Sequence, residues 1–388
     1  MSGAACRMIR TVLRRRNAEI SSKRRMTEML NFTVGPVMSA PAVLKITSES
    51  VPYFRTPEFS QIMLENEKLM LSFLDAPENS RCVFLTTSGT GAMESVVMNV
   101  LNADDKVLVI NGGSFGARFE EMCVLHKLDH AVVRCDFGTQ VTAEQLNEFD
   151  GKGFTALLVN MDETSSGVLY DMELLSAFCK RNNMLLIVDA ISAFITDPIS
   201  MKALDAAVVL TGSQKALAVQ PGIAVIALAP KALARVEQNE EKVLYLSLKN
   251  ALKNMERGQT PFTPAVATLL QIHERLKGIQ EAGGIAAERE RVCQITEKFR
   301  AAVSELPFEF VVADPKDRSN AVTALKPLTC GAMKIVQVLK DEYQIWLCPN
   351  GGEKADLIFR VGHIGYITMQ DLDTLLDALH DLKKRGII

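Results

Sequence analysis

The chain has 388 residues, 48% hydrophobic and 23% charged, enough to bury a large core in two domains, or in one large and one small. No apolar run reaches the roughly 18 residues that a membrane span needs. The net charge of −3 is uneven: residues 1–25 hold eight Lys/Arg against Glu19, so the head carries +7 and the body −10, which argues against nucleic acid as a partner.

The basic head reads as a disordered extension. Its arginines and its Ser21-Ser22 pair also fit a targeting presequence, or an upstream start before Met26. Eight cysteines are scattered without a CxxC pair or a histidine at ligand spacing. The expectation is reduced thiols in a cytoplasmic protein with no metal.

From Asn31 the chain is extended and turns at Gly35-Pro36; a helix over 40–50 follows, then a proline-rich loop over 51–57 that holds Arg55. Residues 58–74 place Phe59, Ile62, Met63, Leu69, Met70 and Phe73 on one helical face. From about residue 80 the pattern becomes strand, glycine turn, helix, repeated. Apolar strands are expected at 82–85, 106–110, 130–134, 156–160, 184–188, 206–210 and 223–227. Helices are expected over 92–101, to His126, over 142–149 and over 172–181. Continuous apolar strands alternating with helices predict an α/β fold with a mostly parallel sheet covered on both faces. Chemistry in such sheets gathers beyond the carboxyl ends of the strands.

Past the proline-bounded segment Thr260-Pro261-Phe262-Thr263-Pro264, a long helical stretch runs to about Val303, with Gly283-Gly284 as a break. Strands at 308–312, 345–347 and 357–360, a helix over 331–342 and a last helix over 369–385 predict a smaller α+β domain. The expected division is an extension over 1–25, a large domain over 26–262 with a mouth segment at 31–57, and a small domain over 263–388.

The stretch Leu210-Thr211-Gly212-Ser213-Gln214-Lys215 ends a core strand in small and polar residues that hold up one lysine. Burial there lowers the pKa of an amine and makes it a nucleophile toward carbonyls, the chemistry of a Schiff base with pyridoxal 5′-phosphate. A solvated loop lysine is the plain alternative. Asp189 directly follows the apolar run 184–188 and is the best carboxylate for a pyridine nitrogen, or else a helix cap. Ser88-Gly89-Thr90-Gly91 joins a strand to a helix, where free amides and hydroxyls cradle phosphate, or it is a plain tight turn. Phe115 in a glycine-rich exit loop suits stacking on a flat ring, or is an anchor for the loop. Glu163-Thr164-Ser165-Ser166 offers hydroxyls or is a polar turn, and Arg360 at a strand end suits a carboxylate or is a surface arginine.

Together Thr87-Ser-Gly-Thr-Gly-Ala-Met-Glu94, Ile187-Val-Asp-Ala190, Thr211-Gly-Ser-Gln-Lys-Ala-Leu217 and Phe359-Arg-Val-Gly362 resemble the class V, fold type I pyridoxal-phosphate aminotransferases. Within that class the chain is similar to the alanine–glyoxylate, serine–pyruvate and 2-aminoethylphosphonate–pyruvate transaminases, from about Asn31 to the end. The resemblance implies that Lys215 carries the cofactor and shuttles a proton, that Asp189 pairs with the pyridine nitrogen, and that Phe115 stacks on the ring with Ile191 on the other face. It also implies that Thr164 bonds the ring hydroxyl region and that Ser88, Gly89, Thr90 and Gln214 hold the phosphate. Arg360 would take the substrate carboxylate, and Gly35 and Arg55 would line the mouth. Thr260 would reach the phosphate of a neighbouring subunit, which implies a homodimer.

Two positions depart from the better-known alanine–glyoxylate enzymes. Phe115 stands where they carry tryptophan, and Arg257 where a tyrosine accompanies the threonine. The expected activity is transfer of an amino group from 2-aminoethylphosphonate, alanine or serine to pyruvate or glyoxylate by a ping-pong route. The rival on the same fold is a cysteine desulfurase or lyase, which needs a mobile thiol. Cys330 and Cys348 have no recognisable surroundings for that role.

Overall fold

A computed structural model describes residues 29–388; the basic extension over 1–25 lies outside the described residues. In chain order the strands are β1 (Leu30–Asn31), β2 (Arg81–Leu85), β3 (Lys106–Asn111), β4 (Asp129–Arg134) and β5 (Ala156–Asn160). Then come β6 (Asp162–Glu163), β7 (Val168–Leu169), β8 (Leu185–Asp189), β9 (Ala206–Gly212) and β10 (Ala224–Leu228). The last five are β11 (Phe308–Phe310), β12 (Val322–Pro327), β13 (Ile345–Trp346), β14 (Cys348–Pro349) and β15 (Phe359–Gly362).

Seven strands form one sheet in the order β2-β10-β9-β8-β5-β3-β4, parallel except that β10 runs antiparallel to β2 and β9. Every residue of β5 and β9 is buried, which is why these segments read as unbroken apolar runs. The register aligns Asn160 with Asp189 and Asp189 with Leu210. Three strands therefore deliver their carboxyl ends side by side, and the loops beyond them share one space.

Local chemistry sets the helices. Thr56 accepts a hydrogen bond from the Phe59 amide, and Pro57 opens the helix Pro57–Phe73 where no amide partner is needed. Thr368 and Asp371 form a reciprocal cap at the start of Met369–Lys384. The break at Gly283-Gly284 divides Val266–Glu281 from Gly284–Val303, with Gly283 at φ +108°. The first helix is shorter than its expected 40–50 span, covering only Pro41–Ile46.

Helices Pro230–Gln238 and Leu248–Met255 and strand β12 are not among the expected elements, although both helices are amphipathic, burying Ala232 and Val236 and Leu248, Ala251 and Met255.

β11, β12, β15 and β14 form an antiparallel four-stranded sheet. It contributes Leu325 and Phe359 to a second core with Phe299, Leu372 and Leu379. Phe32 from the start of the described chain joins that core, and β1 pairs parallel with β13. Leu269, Ile272 and Leu276 of the helix Val266–Glu281 belong instead to the first core.

Candidate active site

At the carboxyl ends of the strands lies a cleft with a volume of about 100 Å³. Ser88, Gly89, Thr90, Phe115, Thr164, Asp189, Ile191, Gln214 and Lys215 all line it. So nine of the thirteen residues singled out in the sequence meet in one cavity.

Lys215 follows β9 in a tight turn. The Ser213 hydroxyl donates to Gln220 O (2.8 Å) and accepts from the Ile223 amide (3.2 Å), so one side chain fastens both limbs of the loop. The lysine is 9% exposed, and its amine has no hydrogen-bond partner among the described residues. Burial pulls this amine below its ordinary pKa; Asp162 and Asp189 oppose the shift, and the Arg360 charge adds to it. Gly35, at φ +119°, lies against the lysine stem, where a Cβ would stand 2.7 Å from Lys215 Cδ.

Asp189 is the last residue of β8. Its carboxylate accepts hydrogen bonds from Asn160 Nδ2 (2.5 Å) and the Ile191 amide (2.8 Å). Burial nevertheless pushes its pKa up to about 6, against the lowering effect of those bonds. A cation placed opposite would reverse that shift, and a protonated pyridine nitrogen is such a cation.

Gly89 opens the helix Gly89–Val100, and the Ser88 hydroxyl accepts from the Gly91 amide at 3.3 Å. A Cβ on Gly89 would collide with Ile191 Cδ1, so the side-chain-free backbone leaves room at a helix start suited to an anion. Arg118 Nη1 donates to Thr90 Oγ1 (2.9 Å), and its guanidinium carbon lies 5.0 Å from the Phe115 ring centre. Phe115 itself is the second residue of the helix Ser114–Leu125 rather than part of a loop, because the glycine pair ends before it. Its ring centre is 5.8 Å from Lys215 Nζ. An anion seat, a flat wall, an unpaired amine and a buried carboxylate in one cleft fit pyridoxal phosphate.

Glu163 supports this arrangement from below. It is 1% exposed and accepts from the Phe115 amide (3.1 Å), the Gly116 amide (3.1 Å), the Ser165 amide (3.2 Å) and the Ser165 hydroxyl (2.5 Å). It therefore anchors the start of the helix that carries Phe115. Thr164 Oγ1 shares a hydrogen bond with Ser192 Oγ (2.9 Å). Sequence reasoning missed Asn160, Arg118 and Glu163 as site residues. Only Asn160, a polar residue closing an apolar strand as Asp189 does, left a usable signal.

Arg360 lies inside β15, between Phe359 and Gly362, not at a strand end, because the ladder to β12 continues to Gly362. It donates to Thr164 O (3.2 Å), Pro349 O (3.0 Å) and Cys348 Sγ (3.1 Å), and its buried Nε lacks a partner. It does not line the cleft but adjoins it through Thr164. Cys348 thus gains surroundings that the sequence does not show.

Arg55 and Thr260 lie elsewhere. Arg55 fastens the loop to Gln259 Oε1, Thr260 O and Pro261 O (3.1, 2.8 and 3.1 Å), and Thr260 Oγ1 donates to Phe262 O (2.8 Å).

Comparison with known proteins places this geometry among relatives. The family model described as Aminotransferase class-V matches residues 50–364. A protein named soluble hydrogenase, small subunit, from Synechococcus sp. (strain PCC 6716) is 31% identical over 89% of this chain and 90% of its own length. L-aspartate–glyoxylate aminotransferase of Paracoccus denitrificans is 28% identical over 87% of this chain and 86% of its own. The crystal structure of alanine–glyoxylate aminotransferase from Nostoc sp. superposes with a TM-score of 0.85 at 23% identity, covering 92% of this chain and 95% of that one.

Two outcomes are expected from the site geometry. Glu163→Ala strands buried amides at the helix start and should lower the stability of the cofactor-free protein by about 2–4 kcal/mol in chemical denaturation; a change under about 0.5 kcal/mol would refute the anchoring role. Asp189 is neutral below its pKa and cannot pair with a pyridinium. Cofactor binding by equilibrium dialysis should therefore weaken as pH falls through about 6, and Asp189→Asn should bind more weakly and lose that step. Identical pH profiles for the two proteins would contradict the pairing.

Proposed function

This chain belongs to the class-V aminotransferase family, and from that premise we propose that it moves an amino group from 2-aminoethylphosphonate, alanine or serine to pyruvate or glyoxylate. It is a pyridoxal-phosphate-dependent transaminase of fold type I. The observation that carries the reading is Lys215, a buried amine without a hydrogen-bond partner among the described residues, which shares one cleft with the buried carboxylate of Asp189.

When bound, pyridoxal phosphate supplies a carbonyl carbon for the amino group and an electron-withdrawing ring that acidifies the substrate carbon. Ser88, Thr90 and the amides at the start of Gly89–Val100 hold its anionic phosphate, with Gln214 beside them. Asp189 keeps a proton on the ring nitrogen. Phe115 and Ile191, which line the cleft, would flank the ring and exclude water from it. Lys215, its amine favoured in the neutral form by burial, takes the proton from the substrate carbon and returns it on the other side of the transfer.

Arg360 orients the carboxylate or phosphonate of the substrate with its remaining donor capacity, including the unpartnered Nε. The donor leaves as an oxo compound before the acceptor enters, which gives ping-pong kinetics. Thr260 bonds within its own loop, away from the cleft, and we assign it to the site of a second copy in a homodimer. No helix among the described residues is long and apolar enough to cross a membrane, and we place the protein in the cytoplasm.

The test is a half-reaction on the loaded protein. One of the three donors should bleach the visible absorption of the bound cofactor, and pyruvate or glyoxylate should restore it. Arg360→Lys should raise KM for donor and acceptor by about 10-fold or more, the scale of one lost charged hydrogen bond, with a smaller change in kcat. Bleaching by none of the three donors would overturn the substrate assignment.

A further inference from the structure

Asp162 lines the cleft with Lys215 but belongs to none of the roles above. It opens the two-residue β6, just past Asn160, and is 3% exposed. One hydrogen bond reaches its carboxyl group, from Ser319 Oγ at 3.3 Å. The same hydroxyl donates to Asp197 Oδ2 at 3.0 Å, so a single proton donor stands between two buried carboxyl groups.

The two carboxyls are not equivalent. Asp197 also accepts from the Asn320 amide (3.1 Å) and Thr196 Oγ1 (3.1 Å), and the Arg300 charge lies on its side. It is the member equipped to remain an anion. Asp162 has only the weaker bond to Ser319, is crowded by the charges of Asp197, Asp189 and Glu163, and is relieved only by Lys215. Burial and those neighbours hold its pKa well above the usual carboxylate range. Asp162 and Asp189 share the cleft with the lysine, Arg360 and Cys348 act on it from beyond the lining, and Asp162 gives the largest of the stabilising charges.

We propose that Asp162 is a positioning residue that acts through Lys215: its carboxylate, buried in the same cleft, favours the charged form of the lysine nitrogen and so sets the pH at which that nitrogen changes charge. Ser319, bonded to both carboxyl groups, and Asp197 set how readily Asp162 carries that charge. The inference rests on the cofactor reading above.

The test is a pH titration of the visible absorption of the protein loaded with pyridoxal phosphate, which reads the protonation of the Lys215 nitrogen. Asp162→Asn removes the anion and should move the midpoint down by about 1 pH unit or more, the effect of losing one close opposite charge. Asp197→Asn should move it up, because Asp162 then ionises more readily. A role confined to folding would change stability and leave both midpoints in place.

An unmoved midpoint in a folded, loaded Asp162→Asn protein overturns the proposal. If that variant does not fold, Asp197→Asn decides: an upward shift supports the proposal, and an unchanged or lowered midpoint overturns it. Failure of the wild-type protein to develop any visible absorption with pyridoxal phosphate is a different result, which would sink the cofactor reading itself.

Discussion

Everything in this protein's site follows from keeping one lysine amine out of water. A buried cation without a partner is costly, and the structure answers with Asp162 and Asp189 in the cleft while Arg360 pushes the other way. The net effect lowers the amine's pKa and favours its neutral form. A group needed first as a nucleophile and then as a proton carrier gains from that shift.

The fold meets this need through the register of its central strands. Pairing of Asn160 with Asp189 and of Asp189 with Leu210 puts three strand ends level, so a hydrogen bond between side chains of adjacent strands holds the carboxylate that faces the lysine. A slip of one residue would turn Asp189 to the opposite face of the sheet. The antiparallel four-stranded sheet and the loops that flank it then bond to the site from the side. Asn350 Nδ2 donates to Ser165 O (2.9 Å), Arg360 donates to Thr164 O, and Asn320 binds Asp197. The smaller sheet's side of the molecule and the cleft therefore meet in the polar segment that follows β5.

Lys215, Asp189 and the Ser88–Thr90 turn were legible in the sequence because each is a local event, an apolar run that stops in polar or small residues. The sheet was legible for the same reason, since strands buried on both faces need unbroken apolar segments. The supporting residues were not. Glu163 looks like a turn residue until the fold brings the Phe115 and Gly116 amides to it from a helix 47 and 48 positions away. Asp162 looks like its neighbour, and only Ser319, 157 positions distant, gives it a setting. Arg55 and Thr260 carry no local signal of that kind: Arg55 bonds the loop that holds Thr260, and Thr260 Oγ1 bonds Phe262 O within that loop.

The central claim is that Lys215 is the residue that carries the cofactor. The most direct measurement is borohydride reduction of the protein equilibrated with pyridoxal phosphate, followed by peptide mass spectrometry. The account predicts one covalent adduct, on the peptide that contains Lys215, and its loss in Lys215→Ala. An adduct on another lysine, or none at all, would contradict it.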